Sequence, residues 1–399
     1  MFLLLVTILL LPTYLVRLSL FGVPTNLLEL LALATIVATF WNVRKWKEHF
    51  ITLPRIYLIS AGLIVLGVSL SALASVDWHV SLGIIKGWFL IPIAFSLAVY
   101  AQLKQNQLTI RHILAAYYSS AVATSFIALD YALSRTYTYD GRLSAFYESP
   151  NQLAMFLAPA IFVGAYLGLT KWRHVLVKNW TNSICLAGLA FAYISLWLTV
   201  FLTSSYATWA AIAISLLGLA LLARQWKIII VLTALACAIV ISQLGTPKMS
   251  DLLGRTAHSS WDSRLAIWKA SIRIGSDHPI WGIGPGNFQK KYLDYQVYFP
   301  PYPEWAVPQP HNLYLAFWLQ TGLIGTLGFL MLTISFLYQL FRRIQKQKGD
   351  HPLVALTILG IILFVLIHGL VDTPYWRNDL AFLFWILIVV GLTATDNTD

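Results

Sequence analysis

Charge is what this sequence has least of. Only 11% of its 399 residues are Asp, Glu, Lys or Arg, where a soluble chain carries about a quarter. That excludes a large soluble α-protein, which needs far more solubilising charge around its buried helices. Acidic residues are the scarcer kind, 16 against 27 Lys and Arg, for a net charge of +11. Cysteine is nearly absent too: Cys185 and Cys237 both sit within apolar runs, which fits core packing and neither a disulfide nor a metal pair. No DxD, HExxH or CxxC occurs, so nothing in the sequence supports a metal site or a resident cofactor. The short alternating strands of an outer-membrane barrel are missing. So are solenoid periods, low-complexity tracts and an obvious inverted repeat.

What is there is apolar, at 58% hydrophobic residues. Runs long enough to cross a bilayer, ~20 residues each, recur through the chain. They fall at residues 2–20, 26–41, 56–75, 84–101, 113–132, 151–170, 183–202, 206–223, 228–244, 312–340, 352–371 and 379–395. The expected architecture is an all-α polytopic membrane protein of about twelve transmembrane helices, a single integral domain over residues 1–399. The N-terminus, MFLLLVTILLLPTYLVRLSL, lacks a basic n-region and a small-residue cleavage site, so it reads as the first spanning helix. The run 312–340 exceeds what a bilayer needs and is expected to tilt or project.

A positive balance of this size suits nucleic acid, but the charges lie in short clusters between apolar runs, as orientation signals do. One set of alternate loops holds Arg44, Lys45, Lys47 and Arg55, then Lys104 and Arg111, then Lys171, Arg173 and Lys178. The set continues with Arg224 and Lys227, then Arg342, Arg343, Lys346 and Lys348. These are more than half of the basic residues, and they put both termini in the cytoplasm. Three loops then face outward: Tyr131–Pro150, Val371–Asn378 and the long polar stretch Gly245–His311. Nucleic acid is not an expected partner; membrane lipid is.

The stretch 245–311 is the one long segment too polar and too rich in Pro and Gly for a bilayer, and long loops are where binding and chemistry concentrate. Asp262-Ser263-Arg264 opens an amphipathic stretch to Ile274, with Arg264 and Trp268 four apart on one face. Gly282-Ile283-Gly284-Pro285-Gly286-Asn287-Phe288 lacks the strand–helix context of a nucleotide loop and reads as a turn. An aromatic run from Phe288 to Trp305, Tyr302 included, offers stacking faces to sugar rings or forms an interfacial belt. The stretch ends at His311-Asn312, where the next helix should begin. The Tyr131–Pro150 loop adds Arg135, Asp140, Arg142 and Glu148 before Asn151.

An outward group of arginines with one histidine suits a particular chemistry. Guanidinium holds phosphate oxygens bidentately and never deprotonates, and histidine accepts a proton from an attacking hydroxyl. Together they fit transfer from a lipid-linked diphosphate, the arginines steadying the leaving group while the histidine assists the nucleophile. Each residue also has a plainer reading. His311 also suits a loop residue beside the helix cap Asn312. Arg264 equally suits a pair with Asp262 or a snorkelling position, and Lys86, near the outer end of the fourth run, snorkels or meets phosphate. His368 and Asp372, one turn apart near an outer helix end, form a polar lock or part of the site.

With those residues in view, the chain resembles the O-antigen ligase and Wzy-type polymerase superfamily of bacterial membrane glycosyltransferases. The likeness runs from Arg142 onward. It is carried by GRLSAFYESPNQLA (Gly141–Ala154), TSSYATW (Thr203–Trp209), DSRLAIW (Asp262–Trp268), HPIWGIGPGNF (His278–Phe288) and PHNLYLAFWLQTGLIG (Pro310–Gly325). The resemblance implies a GT-C-like helical fold with one large periplasmic loop, at the bacterial inner membrane. It also implies metal-independent transfer of a glycan from undecaprenyl diphosphate to a glycan or lipid A–core acceptor hydroxyl. By motif position Arg264 would hold the diphosphate and His311 activate the acceptor. The family commonly places a second arginine where this chain has Tyr206. Arg142 is the expected replacement, with Lys86 or the Tyr206 hydroxyl behind it, and Asn151, Trp268 and Asn312 complete the expected substrate contacts. Ligation, repeat-unit polymerisation and transfer to protein hydroxyls share these motifs. A transporter of lipid-linked glycan or small solutes would instead place ionisable residues near the midplane of several helices; here most lie in loops or at helix ends.

Overall fold

The computed structural model describes residues 1–20, 22–42, 52–175, 180–246, 249–250, 260–300, 304–346 and 353–393. Arg44, Lys45, Lys47, Lys178, Tyr302 and Lys348 lie outside them, as do the side chains of Lys171 and Arg173. The described chain is mostly helical. We number its helices α1 Phe2–Leu9, α2 Leu27–Asn42, α3 Arg55–Leu73, α4 Trp78–Lys104, α5 Ile110–Leu133, α6 Pro150–Val175 and α7 Trp180–Leu202. There follow α8 Tyr206–Leu222, α9 Trp226–Gln243, α10 Ser260–Asp277, α11 Phe288–Tyr295, α12 Leu313–Lys346, α13 Leu353–His368 and α14 Asn378–Thr393.

Among the described residues seven helices are long and apolar enough to cross a membrane, and four shorter apolar ones accompany them. The chain is a multi-pass helical membrane protein. The run 2–20 departs from expectation. Its helix α1 has 8 residues, about 12 Å at 1.5 Å per residue, so the run is not one continuous spanning helix. Pro12 explains the stop: it has no N–H for the helical ladder, and the chain passes into a 3₁₀ turn, Leu11–Leu15. A hairpin follows, Arg17–Leu20 against Val23–Asn26 in antiparallel register, with Leu18 opposite Thr25.

Helix α14 is apolar on all sides and buried along its whole length, as an all-round apolar helix must be. It packs against α4, α13 and α6. Its opposite is α9, which has no buried residue and touches the bundle mainly through α8. Helix α4 contains one π-helical segment, Ile85–Leu90, just before Pro92. Proline cannot donate to the carbonyl four residues back, and that carbonyl, on Trp88, instead accepts the Tyr375 hydroxyl at 2.8 Å.

The excess length of α12 is absorbed by a kink. Gly322 there has φ 65° and ψ −174°, a region open essentially to glycine alone. The turn between α10 and α11 docks into the gap. Leu323 N–H donates to Ile280 O at 2.8 Å and Ile283 N–H to Leu319 O at 2.7 Å, while Trp318 Nε1 donates to Pro279 O at 2.9 Å. A Cβ on Gly322 would lie 2.4 Å from Ile280 O. Much of the stretch 245–311 is therefore folded. Helices α10 and α11 share a small apolar core of Ile267, Ile274, Ile283, Phe288 and Tyr292, which Leu319 of α12 joins.

Candidate active site

Helix α12 begins in a strained, well-tied corner. Asn312 caps it, its Oδ1 accepting the N–H groups of Tyr314 and Leu315 at 3.0 Å each. The other end of the same amide donates to Leu370 O at 2.9 Å, and Leu313 N–H donates to Gly369 O at 2.7 Å. The start of α12 is thus fastened to the turn after α13. His311, one residue earlier, has φ +46°, an uncommon left-handed setting for a residue with a Cβ and one that clusters at functional sites.

That turn supplies the histidine's partner. His311 Nδ1 lies 3.3 Å from Asp372 Oδ1, with the carboxylate nearly buried and the imidazole 30% exposed. The Thr373 N–H donates to the same oxygen at 2.9 Å. Burial pushes the Asp372 carboxyl up, but the His311 hydrogen bond and the charges of His311, His368 and Arg264 outweigh it and hold it below the usual carboxylate range. With an ionised acceptor at Nδ1, the ring in its neutral form carries its proton there. Nε2 is left with its lone pair.

Helix α10 brings two residues to the same place from one face. Trp268 Nε1 donates to His311 O at 3.1 Å. Arg264 Nε donates to Val371 O at 3.0 Å, next to Asp372, and Nη1 reaches Ser260 O at 3.5 Å. The Tyr131–Pro150 loop brings Arg142 to the same network. Its Nε donates to Thr203 O at 2.8 Å and its Nη2 to Asn151 Oδ1 at 2.6 Å, while Asp140 lies 3.7 Å from Nη1. Asn151 Nδ2 then donates to Asp372 Oδ2 at 3.4 Å. Arg142, Asn151, Asp372 and His311 therefore form one connected chain, with Arg264 anchored on the residue beside Asp372. Burial pushes the Arg142 guanidinium below its ordinary value; Asp140 opposes this and nearby Arg264 adds to it. Two cations near enough to feel each other's charge form a ready place for a multiply charged anion.

The structure does not bring Lys86 and Tyr206 into this network. Lys86 Nζ pairs with Glu29 Oε2 at 2.8 Å and donates to Pro24 O. The physical reason is Glu29 itself, a carboxylate only 3% exposed that needs a counter-charge. A Cβ on Gly87 would lie 2.3 Å from Glu29 Oε1, so the bare glycine admits that carboxylate. The Tyr206 hydroxyl donates to Gln243 Oε1 at 2.9 Å, at the end of α9. Asp372 and His311 are 61 residues apart, so their pairing is not legible in the sequence. The available signal was a carboxylate in an outward loop of a chain with few acids.

A second buried charge pair lies alongside. Arg377 donates to both oxygens of Asp379, at 2.6 and 2.8 Å, and its guanidinium lies over the Tyr147 ring at 4.8 Å. It also donates to Gln152 O at 3.1 Å, tying the α14 end to the residue beside Asn151.

Residues 190–330 match the family model described as O-Antigen ligase. That segment contains Tyr206, Arg264, Trp268, His311 and Asn312, while Arg142, Asn151 and Asp372 lie to either side of it. No curated protein matches the chain significantly.

Proposed function

From the O-antigen ligase domain that this chain carries, we propose that it moves a glycan from undecaprenyl diphosphate to an acceptor hydroxyl. The face would be the periplasmic side of a bacterial inner membrane, both termini would be cytoplasmic, and the helical arrangement GT-C-like. The observation that carries the reading is the connected set Arg142–Asn151–Asp372–His311 with Arg264 beside it. It joins a proton acceptor to a paired cationic site, the two groups that transfer from a lipid diphosphate requires.

The acceptor hydroxyl gives its proton to His311 Nε2 while its oxygen forms a bond to the anomeric carbon. The bond from that carbon to the diphosphate breaks, and the diphosphate leaves with the electron pair. Asp372 holds the Nδ1 proton and stabilises the imidazolium that forms. Arg142 and Arg264 meet the negative charge that grows on the leaving oxygens. No metal has a role in this scheme.

The reading is tested with the purified full-length protein, a lipid-linked glycan donor and a lipid A–core acceptor. His311→Ala should lower transfer by ~10²–10⁴, the usual cost of an acid–base group. Arg142→Ala should weaken donor use about as severely as Arg264→Ala, and excess chelator should leave the wild-type rate unchanged. Near-normal transfer by His311→Ala overturns the scheme. A ladder of repeats built on the lipid donor, with nothing on the core acceptor, would reassign the same site to polymerisation.

A further inference from the structure

Two backbone carbonyls set where the arginines stand: Thr203 O holds Arg142 Nε and Val371 O holds Arg264 Nε. Thr203 lies in the turn before α8, and Val371 in the turn after α13. The separation of the guanidiniums depends on what fixes one turn against the other. Helices α8 and α13 pack together, but apolar surfaces in lipid have little driving force of their own and polar side chains serve as directed ties.

One such tie joins these helices. Thr208 Oγ1 lies 3.0 Å from His368 Nε2, and both residues are completely buried. On the α8 side the chain of bonds continues. Thr208 Oγ1 meets Ser205 Oγ at 3.0 Å, and Ser205 N–H donates to Thr203 Oγ1 at 3.3 Å. On the α13 side His368 O accepts the N–H groups of Val371 and Asp372, at 3.0 Å each. An unbroken run of hydrogen bonds thus leads from the residue that anchors Arg142 to the one that anchors Arg264. The other imidazole nitrogen, His368 Nδ1, is buried with no partner among the described residues. A buried polar atom left empty carries a cost that an apolar side chain would avoid. What the imidazole adds there is its bond to Thr208.

We propose that the Thr208–His368 bond is a register pin that sets the spacing of Arg142 and Arg264 for a diphosphate. Thr208 and His368 are positioning residues that act through the two turns they tie. The inference rests on the reading of the two arginines as the diphosphate site.

The experiment titrates donor and acceptor separately in the full-length protein, with undecaprenyl diphosphate, the donor without its glycan, as a binding probe. Thr208→Val removes the hydroxyl and keeps the volume. It should raise the donor KM and weaken probe binding by ~10–10²-fold, the scale of a misplacement near 1 Å, with acceptor KM unchanged and melting temperature lowered by no more than the loss of one buried hydrogen bond explains. His368→Leu should do the same, the double variant should be no worse than either single one, and Thr208→Ser should stay near wild type. An unchanged donor KM in Thr208→Val overturns the proposal. So does a loss shared by donor and acceptor together with a lower melting temperature, which is the mark of packing alone. If Arg142→Ala and Arg264→Ala bind the probe as the wild type does, the diphosphate reading itself fails, whatever Thr208 does.

Discussion

At the scale of single residues, the useful contrast is between charges that are spent and charges that are free to act. Lys86 is neutralised by Glu29, and Arg377 is held by Asp379 with both carboxylate oxygens engaged. Arg264 instead rests on a backbone carbonyl, which positions a guanidinium without cancelling its charge. Asp372 is the acid that matters for His311, and its depressed pKa makes a statement about stability. A carboxylate whose folded pKa lies below its unfolded value, ~3.9 for Asp, adds stability above that unfolded value and loses it as pH falls through the folded one. The melting-temperature gap between wild type and Asp372→Asn should therefore persist from pH 8 to pH 5 and shrink only toward pH 3. A gap that closes between pH 7 and pH 5 would mean that Asp372 is not held ionised. The left-handed backbone at His311 could not be read from composition or periodicity, since it follows from Asn312 being fastened to Leu370.

At the scale of elements, glycines decide where helices bend and how closely they approach. Gly67 and Gly325 mark the crossing of α3 and α12, where a Cβ on Gly67 would lie 2.2 Å from Gly325 N. Gly322 carries the kink. Gly322→Ala should cost ~1–3 kcal/mol for the positive-φ backbone alone, with the clash on Ile280 O added. Because the kink receives the α10–α11 turn, the variant should lower melting temperature and transfer together. Gly322→Ala with wild-type melting temperature and activity would show that the turn does not depend on the kink. The motif HPIWGIGPGNF, a turn in the sequence reading, is the segment that fills this bend. The sequence marks it as a turn, but the partner of the turn lies on another helix.

At the scale of the whole molecule, three loops far apart in sequence meet at one place. Arg142 comes from Tyr131–Pro150, Arg264 and His311 from the 245–311 stretch, and Asp372 from the turn between α13 and α14. From the Lys/Arg asymmetry all three are expected on the side opposite the basic loops. A reporter fused after Glu304 should accordingly read as periplasmic and one fused after Lys346 as cytoplasmic; the reverse pattern would place the candidate site in the cytoplasm. Helix α9 makes a separate expectation, since none of its side chains is buried. Leu235→Ala should leave melting temperature and transfer as they are, and a marked loss would reveal a partner for that face.

The sequence alone determined that this chain lives in a membrane, because hydropathy and scarce charge depend on composition and not on contacts. It also determined where most of the apolar helices lie and which polar segments carry Arg142, Arg264 and His311, since those follow from local patterning and motif order. The tertiary structure alone decided that α1 stops short at Pro12, that α12 bends at Gly322, and that Lys86 belongs to Glu29. It also decided that His311 leans on Asp372 and that Thr208 meets His368. Each of these rests on a pairing between residues brought together only when helices pack, and a single sequence holds no record of which helices will be neighbours.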